Sequence, residues 1–306
     1  MTLWATVAQH ISEVTGTRCV TQPVQSIRGG CINSAYRLTH GGTDYFVKVN
    51  TLADPAMFEA EAAGLQELGD SNTVKVPHPI CWGQAEGFIY LVLEYWPLKP
   101  ITANGLVSLG GRLAALHRIA RPYFGWHRDN TIGATPQHNT PGQDWIEFWR
   151  QHRLGYQLQL AKENGYGGAL QLKGEQLMAQ IGVLFADHTP NACSLHGDLW
   201  GGNMACSTSG EPVIFDPATY YGDRETDVAM TELFGGFGSE FYAAYQAVYP
   251  LSKGYRARRT LYNLYHILNH LNLFGRSYLV QAERMMDDLL SAIQRCSALD
   301  MSVKNS

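Results

Sequence analysis

Along the first hundred residues, apolar positions alternate or gather in short runs; beyond them they recur every three to four positions. Residues 24–27 read as a strand leading into Arg28-Gly29-Gly30-Cys31-Ile32-Asn33, and residues 34–38 follow as a second strand. His40-Gly41-Gly42-Thr43 supplies a turn, and residues 44–49 alternate. Tyr45, Val47 and Val49 share one face of that strand, with Phe46 and Lys48 on the other. Asp54-Pro55 reads as a helix start, because Asp accepts free N–H groups and Pro suits the first helical position. The helix is predicted to reach about Leu68 and stop near Gly69. Residues 74–76 and 80–82 are short extended pieces. Residues 88–93 form an unbroken apolar run, which suits a strand buried on both faces. Pro97 and Pro100 cannot continue a central ladder, so the boundary between two lobes is placed there, giving 1–96 and 97–306.

The pattern then changes period. Leu106, Leu109, Leu113 and Leu116 predict one helix, and residues 145 to about 162 and 175–185 two more. A short β region is expected over 194–216. Helices return from about residue 225, including 262–274 and 283–293. No internal repeat interrupts this order. The expectation is an α+β bilobal fold, β-rich at the N-terminus and mainly helical at the C-terminus.

A chain of 306 residues with 45 % apolar content has enough material for two cores. The net charge is −4 and the basic residues are scattered, which argues against nucleic acid as a partner. The six cysteines form no C-x-x-C pair, and their spacing suits neither zinc nor a disulfide framework; isolated thiols point to the cytoplasm. Residues 1–10 lack a basic start and a long apolar run, so no secretory leader is expected. No apolar stretch approaches the roughly 18 residues of a membrane span.

The candidate chemistry lies in the β region. His196-Gly197-Asp198-Leu199-Trp200-Gly201-Gly202-Asn203 is followed by Val213-Ile214-Phe215-Asp216-Pro217. Phosphoryl transfer from a nucleotide needs a carboxylate beside the attacking hydroxyl. It also needs an amide oxygen and a second carboxylate to hold magnesium against the phosphates. Asp198, Asn203 and Asp216 supply that set in that order. Either of the first two alone would read equally well as a turn cap; the joint spacing favours chemistry. No Walker A sequence is present.

HGDLWGGN followed by IFDPATYYGDRETDVAM resembles the fructosamine (ketosamine) kinase family, within the group of aminoglycoside phosphotransferases and choline kinases. RGGCINSAYRL, FVKVN, FEAEAAGL and FGRSYLV extend the resemblance over essentially the whole chain. It implies a protein-kinase-like fold using ATP and Mg2+. The implied acceptor is a ketosamine, free or protein-bound, phosphorylated on the sugar's third hydroxyl. The product would release its amine, a deglycation. Other small hydroxylated amines, of aminoglycoside or choline type, are the alternative acceptors, and a nucleotide-binding pseudokinase is a third reading. Nothing here bears on oligomeric state.

Further residues fall into place around this set. Lys48 sits in an apolar strand, where a charge needs a partner. Glu61 interrupts the helix stripe Phe58, Leu65, Leu68, so a Lys48–Glu61 pair is expected, with Lys48 left to contact phosphates. Glu59 is the competing partner, on another face. Gly29, Gly30, Cys31, Ile32 and Asn33 are either a plain hairpin turn or a cover for the phosphates; the position two strands before Lys48 favours the cover. Glu94, Tyr95 and Trp96 are candidates for the adenine-facing connector, or simply a strand end. Asp227 either caps the next helix or reaches back to N–H groups of the catalytic loop. His196 is expected to support the loop, and His117 to be structural. Trp200 suits stacking on the acceptor's sugar chain. Asp223 is either a turn residue or a second acceptor contact.

Overall fold

The computed structural model describes residues 2–17, 21–27, 33–51 and 55–304. Helix α1 (Leu3–Thr15) comes first. The Thr2 hydroxyl accepts the Ala5 N–H, and Gly16 ends the helix at φ +71°. This helix was not anticipated, although Val7, Ala8 and Ile11 lie at helical spacing and are buried.

Strands β1 (Thr21–Ile27), β2 (Ser34–His40), β3 (Thr43–Asn50), β4 (Pro79–Ala85) and β5 (Phe88–Glu94) build one antiparallel sheet in the order β1-β2-β3-β5-β4. The alternation in β3 is realised. Tyr45, Val47 and Val49 pack with Val7 and Ile11 of α1, which leaves Lys48 on the opposite face. Lys48 pairs in register with Leu91 of β5. The apolar run of β5 is buried on both faces, as its composition predicts. Tyr90 and Val92 join the α1 side. Ile89, Leu91 and Leu93 join the side of α2 (Ala56–Asp70). Pro55 immediately precedes α2, and Asp54 lies outside the described residues.

The rest is mainly helical. Helix α3 (Ala103–Leu116) carries the leucine stripe, and a small hairpin follows, β6 (Asn130–Ile132) with β7 (Thr135–Gln137), too short to stand out in the sequence. The helix expected over 145–162 is α4 (Trp145–Trp149) and α5 (Tyr156–Glu163), joined by the wider π-turn Arg150–Gly155. Helix α6 (Ala169–Gln180) starts earlier than its sequence pattern suggests. The β region comprises β8 (Ala192–Leu195), β9 (Met204–Cys206), β10 (Pro212–Ile214) and β11 (Tyr220–Asp223), paired as β9-β10 and β8-β11. Helices α7 (Glu225–Leu233), α8 (Ser239–Val248), α9 (Tyr255–Phe274) and α10 (Leu279–Lys304) complete the chain. Among the described residues, no helix is long and apolar enough to cross a membrane.

One core runs between the two regions. Phe58, Leu65 and Leu68 of α2 share a cluster with Leu91 of β5, Leu113 of α3 and Ile214 of β10.

Candidate active site

Lys48 and Glu61 meet as their positions demand, Nζ to Oε1 at 2.7 Å. Lys48 also reaches Asp216 Oδ1 at 2.8 Å. Burial opposes the ammonium charge, but the Asp216 and Glu61 carboxylates outweigh it and hold the Lys48 pKa above its usual value. The competitor Glu59 pairs with Arg128 instead, at 2.9 Å.

Between β8 and β9 the chain makes the loop that carries Asp198. Gly197 has φ +81°, and a Cβ there would stand 2.1 Å from the Ala218 carbonyl oxygen, so only glycine fits. The buried Asp227 of α7 reaches back to this loop and accepts the His196 and Gly197 N–H groups, both at 2.8 Å. Burial works against its charge, but the hydrogen bond from His117 and the Gly197 N–H keep the carboxyl below its ordinary pKa. His117 bridges Asp227 and the Tyr245 hydroxyl and is structural. His196 is fully buried, and burial lowers its pKa. Its Nε2–H donates to the Phe215 carbonyl while Nδ1 accepts the Asp198 N–H, which fixes a neutral ring under the loop.

Asn203 donates Nδ2–H to the Asp198 carbonyl at 2.8 Å and to its carboxylate at 3.2 Å. That leaves Asn203 Oδ1 with no donor among the described residues. Asp216 follows β10 at φ +57°, a left-handed conformation that Asp tolerates better than most residues, and its side chain is 41 % exposed. Asn203 Oδ1 and the Asp216 carboxylate are hard oxygen donors on neighbouring segments, a set that fits magnesium and leaves positions for phosphate and water. Asp198 has its pKa raised to about 7, first by burial and then by the Asp216 charge, with the Asn203 N–H opposing.

Two expectations meet the structure differently. Asp223 does not face a cleft. It stands at the end of β11 opposite Ala192, away from the catalytic loop, and is 1 % exposed. Its carboxylate accepts bonds from the Tyr262 hydroxyl, His188 Nε2 and the Glu225 N–H at 2.6, 2.7 and 3.1 Å. A charge buried that deeply must be bonded internally, and at 1 % exposure it is out of an acceptor's reach. Trp200, by contrast, is 39 % exposed beside Asp198 in sequence, with its ring near perpendicular to that of Phe234.

Residues 28–32, and with them Gly29, Gly30, Cys31 and Ile32, lie outside the described residues. Asn33 accepts a bond from Asn50 Nδ2 at the start of β2. Glu94 ends β5, and its N–H donates to the His78 carbonyl. Tyr95 lies beneath the Arg37 guanidinium and Trp96 against Lys75.

Sequence reasoning missed Glu67. It accepts bonds from Trp126 Nε1 at 2.8 Å and from the Ser194 hydroxyl at 3.1 Å, and pairs with Arg121 at 3.1 Å. Two turns along α2 from Glu59, it ties the helix to β8. A third acid on a mostly apolar helix, after Glu59 and Glu61, was the available signal.

A buried ammonium shared by two carboxylates, and a loop aspartate with an amide oxygen beside it, together suit a polyanion donor and a hydroxyl acceptor. That division of labour belongs to phosphotransferases of the protein-kinase-like fold, and the fold is theirs. A choline kinase from Streptococcus pneumoniae superposes with TM-score 0.63 at 15 % identity, covering 94 % of this chain and 98 % of that one. Within that class the chain belongs to the fructosamine kinase family, whose model matches residues 3–292. A probable ketoamine kinase of Synechocystis sp. is 47 % identical over 94 % of this chain and 97 % of its own. A chloroplastic protein-ribulosamine 3-kinase of Arabidopsis thaliana is 43 % identical over 89 % of this chain and 83 % of its own. The crystal structure of a putative fructosamine-3-kinase from Haemophilus somnus matches with TM-score 0.85 at 28 % identity, over 93 % of this chain and 96 % of that one.

Proposed function

We propose that this chain transfers the γ-phosphoryl group of ATP to a sugar hydroxyl of a ketosamine, the third hydroxyl of a fructosamine or ribulosamine adduct, free or carried on a protein amine. The observation that carries the reading is Lys48 held between Glu61 and Asp216. A lysine so placed is charged and can turn to nucleotide phosphates without losing its helix partner. Family membership narrows the acceptor. Asp198 orients the attacking hydroxyl and takes its proton; Asn203 holds Asp198 in place. Asn203 Oδ1 and Asp216 would hold magnesium, whose charge offsets that of the phosphates. In this reading Glu94, Tyr95 and Trp96 would meet the adenine edge, and Trp200 would contact the acceptor.

The test is direct. The protein is incubated with ATP, magnesium and the fructose or ribulose adduct of lysine, with choline and kanamycin as competing acceptors, and products are read by phosphorus NMR. We expect phosphate on the third hydroxyl of the adduct. Robust choline or kanamycin phosphorylation with an inert adduct would overturn the acceptor and leave the kinase standing.

A further inference from the structure

Trp200 is the first of a row of rings. It meets Phe234, which directly follows α7, with the ring planes near perpendicular and centroids 6.2 Å apart. Phe234 lies against His270 of α9 at 5.1 Å. His270 in turn touches Phe274 at 5.2 Å and Tyr278 at 5.1 Å. Three of these side chains are large, apolar and bare: Trp200 is 39 % exposed, Phe234 41 % and Phe274 52 %. Scattered exposed apolar residues are ordinary, but a continuous row beginning two residues from the catalytic aspartate is not.

The row carries no charge. Burial lowers the His270 pKa, and its Nδ1–H is taken by the His266 carbonyl at 2.7 Å. Among the described residues, none of the five rings belongs to an ion pair. Gly202 lets the Trp200 ring fold back over the loop, since a Cβ there would stand 2.3 Å from the indole. The ring's place is therefore set by the catalytic loop itself.

Resting on the ketosamine reading, the chemistry of the acceptor gives this row an occupant. The amine nitrogen is on carbon 1 and the reacting hydroxyl on carbon 3, so when that hydroxyl meets Asp198 the nitrogen lies close by. Whatever the nitrogen carries must leave along the surface beyond. We propose that Phe234, His270 and Phe274 seat the amine's substituent, and that they select ketosamines of apolar amines, aromatic or aliphatic, over those of small polar amines. The nitrogen's own positive charge falls beside the Trp200 and Phe234 faces, which attract cations. The substituent lies on rings that offer area and no hydrogen bond. Ring-to-ring steps of 5.1–6.2 Å make the row long enough for a benzyl or hexyl group and far longer than a methyl group needs.

A competition assay separates the outcomes. Fructose adducts of benzylamine and ethanolamine are mixed with the protein and Mg-ATP, and the ratio of their kcat/KM values is read from the two products. Both adducts see the same enzyme, so the ratio does not depend on the folded fraction. Partial burial of a phenyl ring leads us to expect a ratio of about 10 for the wild type. It should fall to about 2 or 3 in Phe234→Ala, and fall less in Phe274→Ala, the residue further along the row. A wild-type ratio near unity, or one that survives both substitutions, would overturn the inference and leave the ketosamine reading intact. If neither adduct is phosphorylated, that reading fails and takes this inference with it.

Discussion

The two halves of the cleft are built in opposite ways. Among the described residues of the proposed donor side, the functional groups are buried or bonded: Lys48 to Glu61 and Asp216, Asn203 to Asp198, the loop N–H groups to Asp227. On the proposed acceptor side the rings Trp200, Phe234 and Phe274 are about half bare; Trp200 meets Phe234 directly, and His270 links Phe234 to Phe274. The difference follows from what each half handles. A triphosphate has one charge pattern and rewards fixed countercharges. An acceptor with a variable amine rewards area, which tolerates differences in shape.

The largest effect expected on the donor side is that of Asp198→Asn, which keeps shape and bonding but cannot take a proton. Turnover should fall by roughly 10²–10⁴-fold with Mg-ATP affinity nearly unchanged. Turnover within a few-fold of wild type would remove Asp198 from catalysis. Lys48→Met strips a buried carboxylate of its counter-ion, and we expect a loss of about 3–5 kcal/mol by denaturant titration. Adding Glu61→Leu should recover part of it, because Asp216 is exposed enough to face water. No recovery would mean that the two residues are not coupled. Asp216→Ala should weaken Mg-ATP binding by at least the roughly 10–100-fold that losing an outer-shell partner costs a metal site. ATP binding in EDTA should change much less. Calorimetry under both conditions decides, and equal losses would make Asp216 merely structural.

On the acceptor side the effects shrink. Trp200→Ala should raise KM for the ketosamine by about 2- to 30-fold and leave KM for ATP alone. A rise in both would place Trp200 in general packing. Asp223→Asn tests the boundary of that side. Since its carboxylate is spent on Tyr262 and His188, the ketosamine KM should stay within about twofold of wild type, the additivity expected of a residue with no shared contact. A large selective rise in KM would return Asp223 to the acceptor site.

The same contrast explains what could be read from the chain. Lys48 and Glu61 are charges in apolar stripes, and each calls for a partner; the Asp198, Asn203 and Asp216 spacing restricts them to one loop and strand. Burial of a charge leaves few solutions, so the sequence is informative there. Phe234, His270 and Phe274 look like ordinary helix positions. Whether an aromatic on α9 faces the core or the cleft depends on helix packing that no local pattern encodes. The sequence leaves Asp223 open between a turn residue and an acceptor contact. An acid near the motif suggests the cleft, yet the β8–β11 register carries it to the other end of the strand. The small hairpin β6–β7 is only six residues of ladder, too short for an alternation to show, and helix α1 buries only the short stripe Val7, Ala8 and Ile11.

Helix α2 is gripped along its whole length. Glu61 binds the strand lysine, Glu59 and Glu67 bind arginines of the helical region, and Gly64 lies so close to Thr219 that a methyl group there would stand 2.8 Å from its hydroxyl. Protein kinases throttle themselves by swinging the matching helix. A throttle needs two resting places for its moving part, and leaving the position seen here would break four contacts together. The helix partner of Lys48 is thus already seated against it in the resting fold.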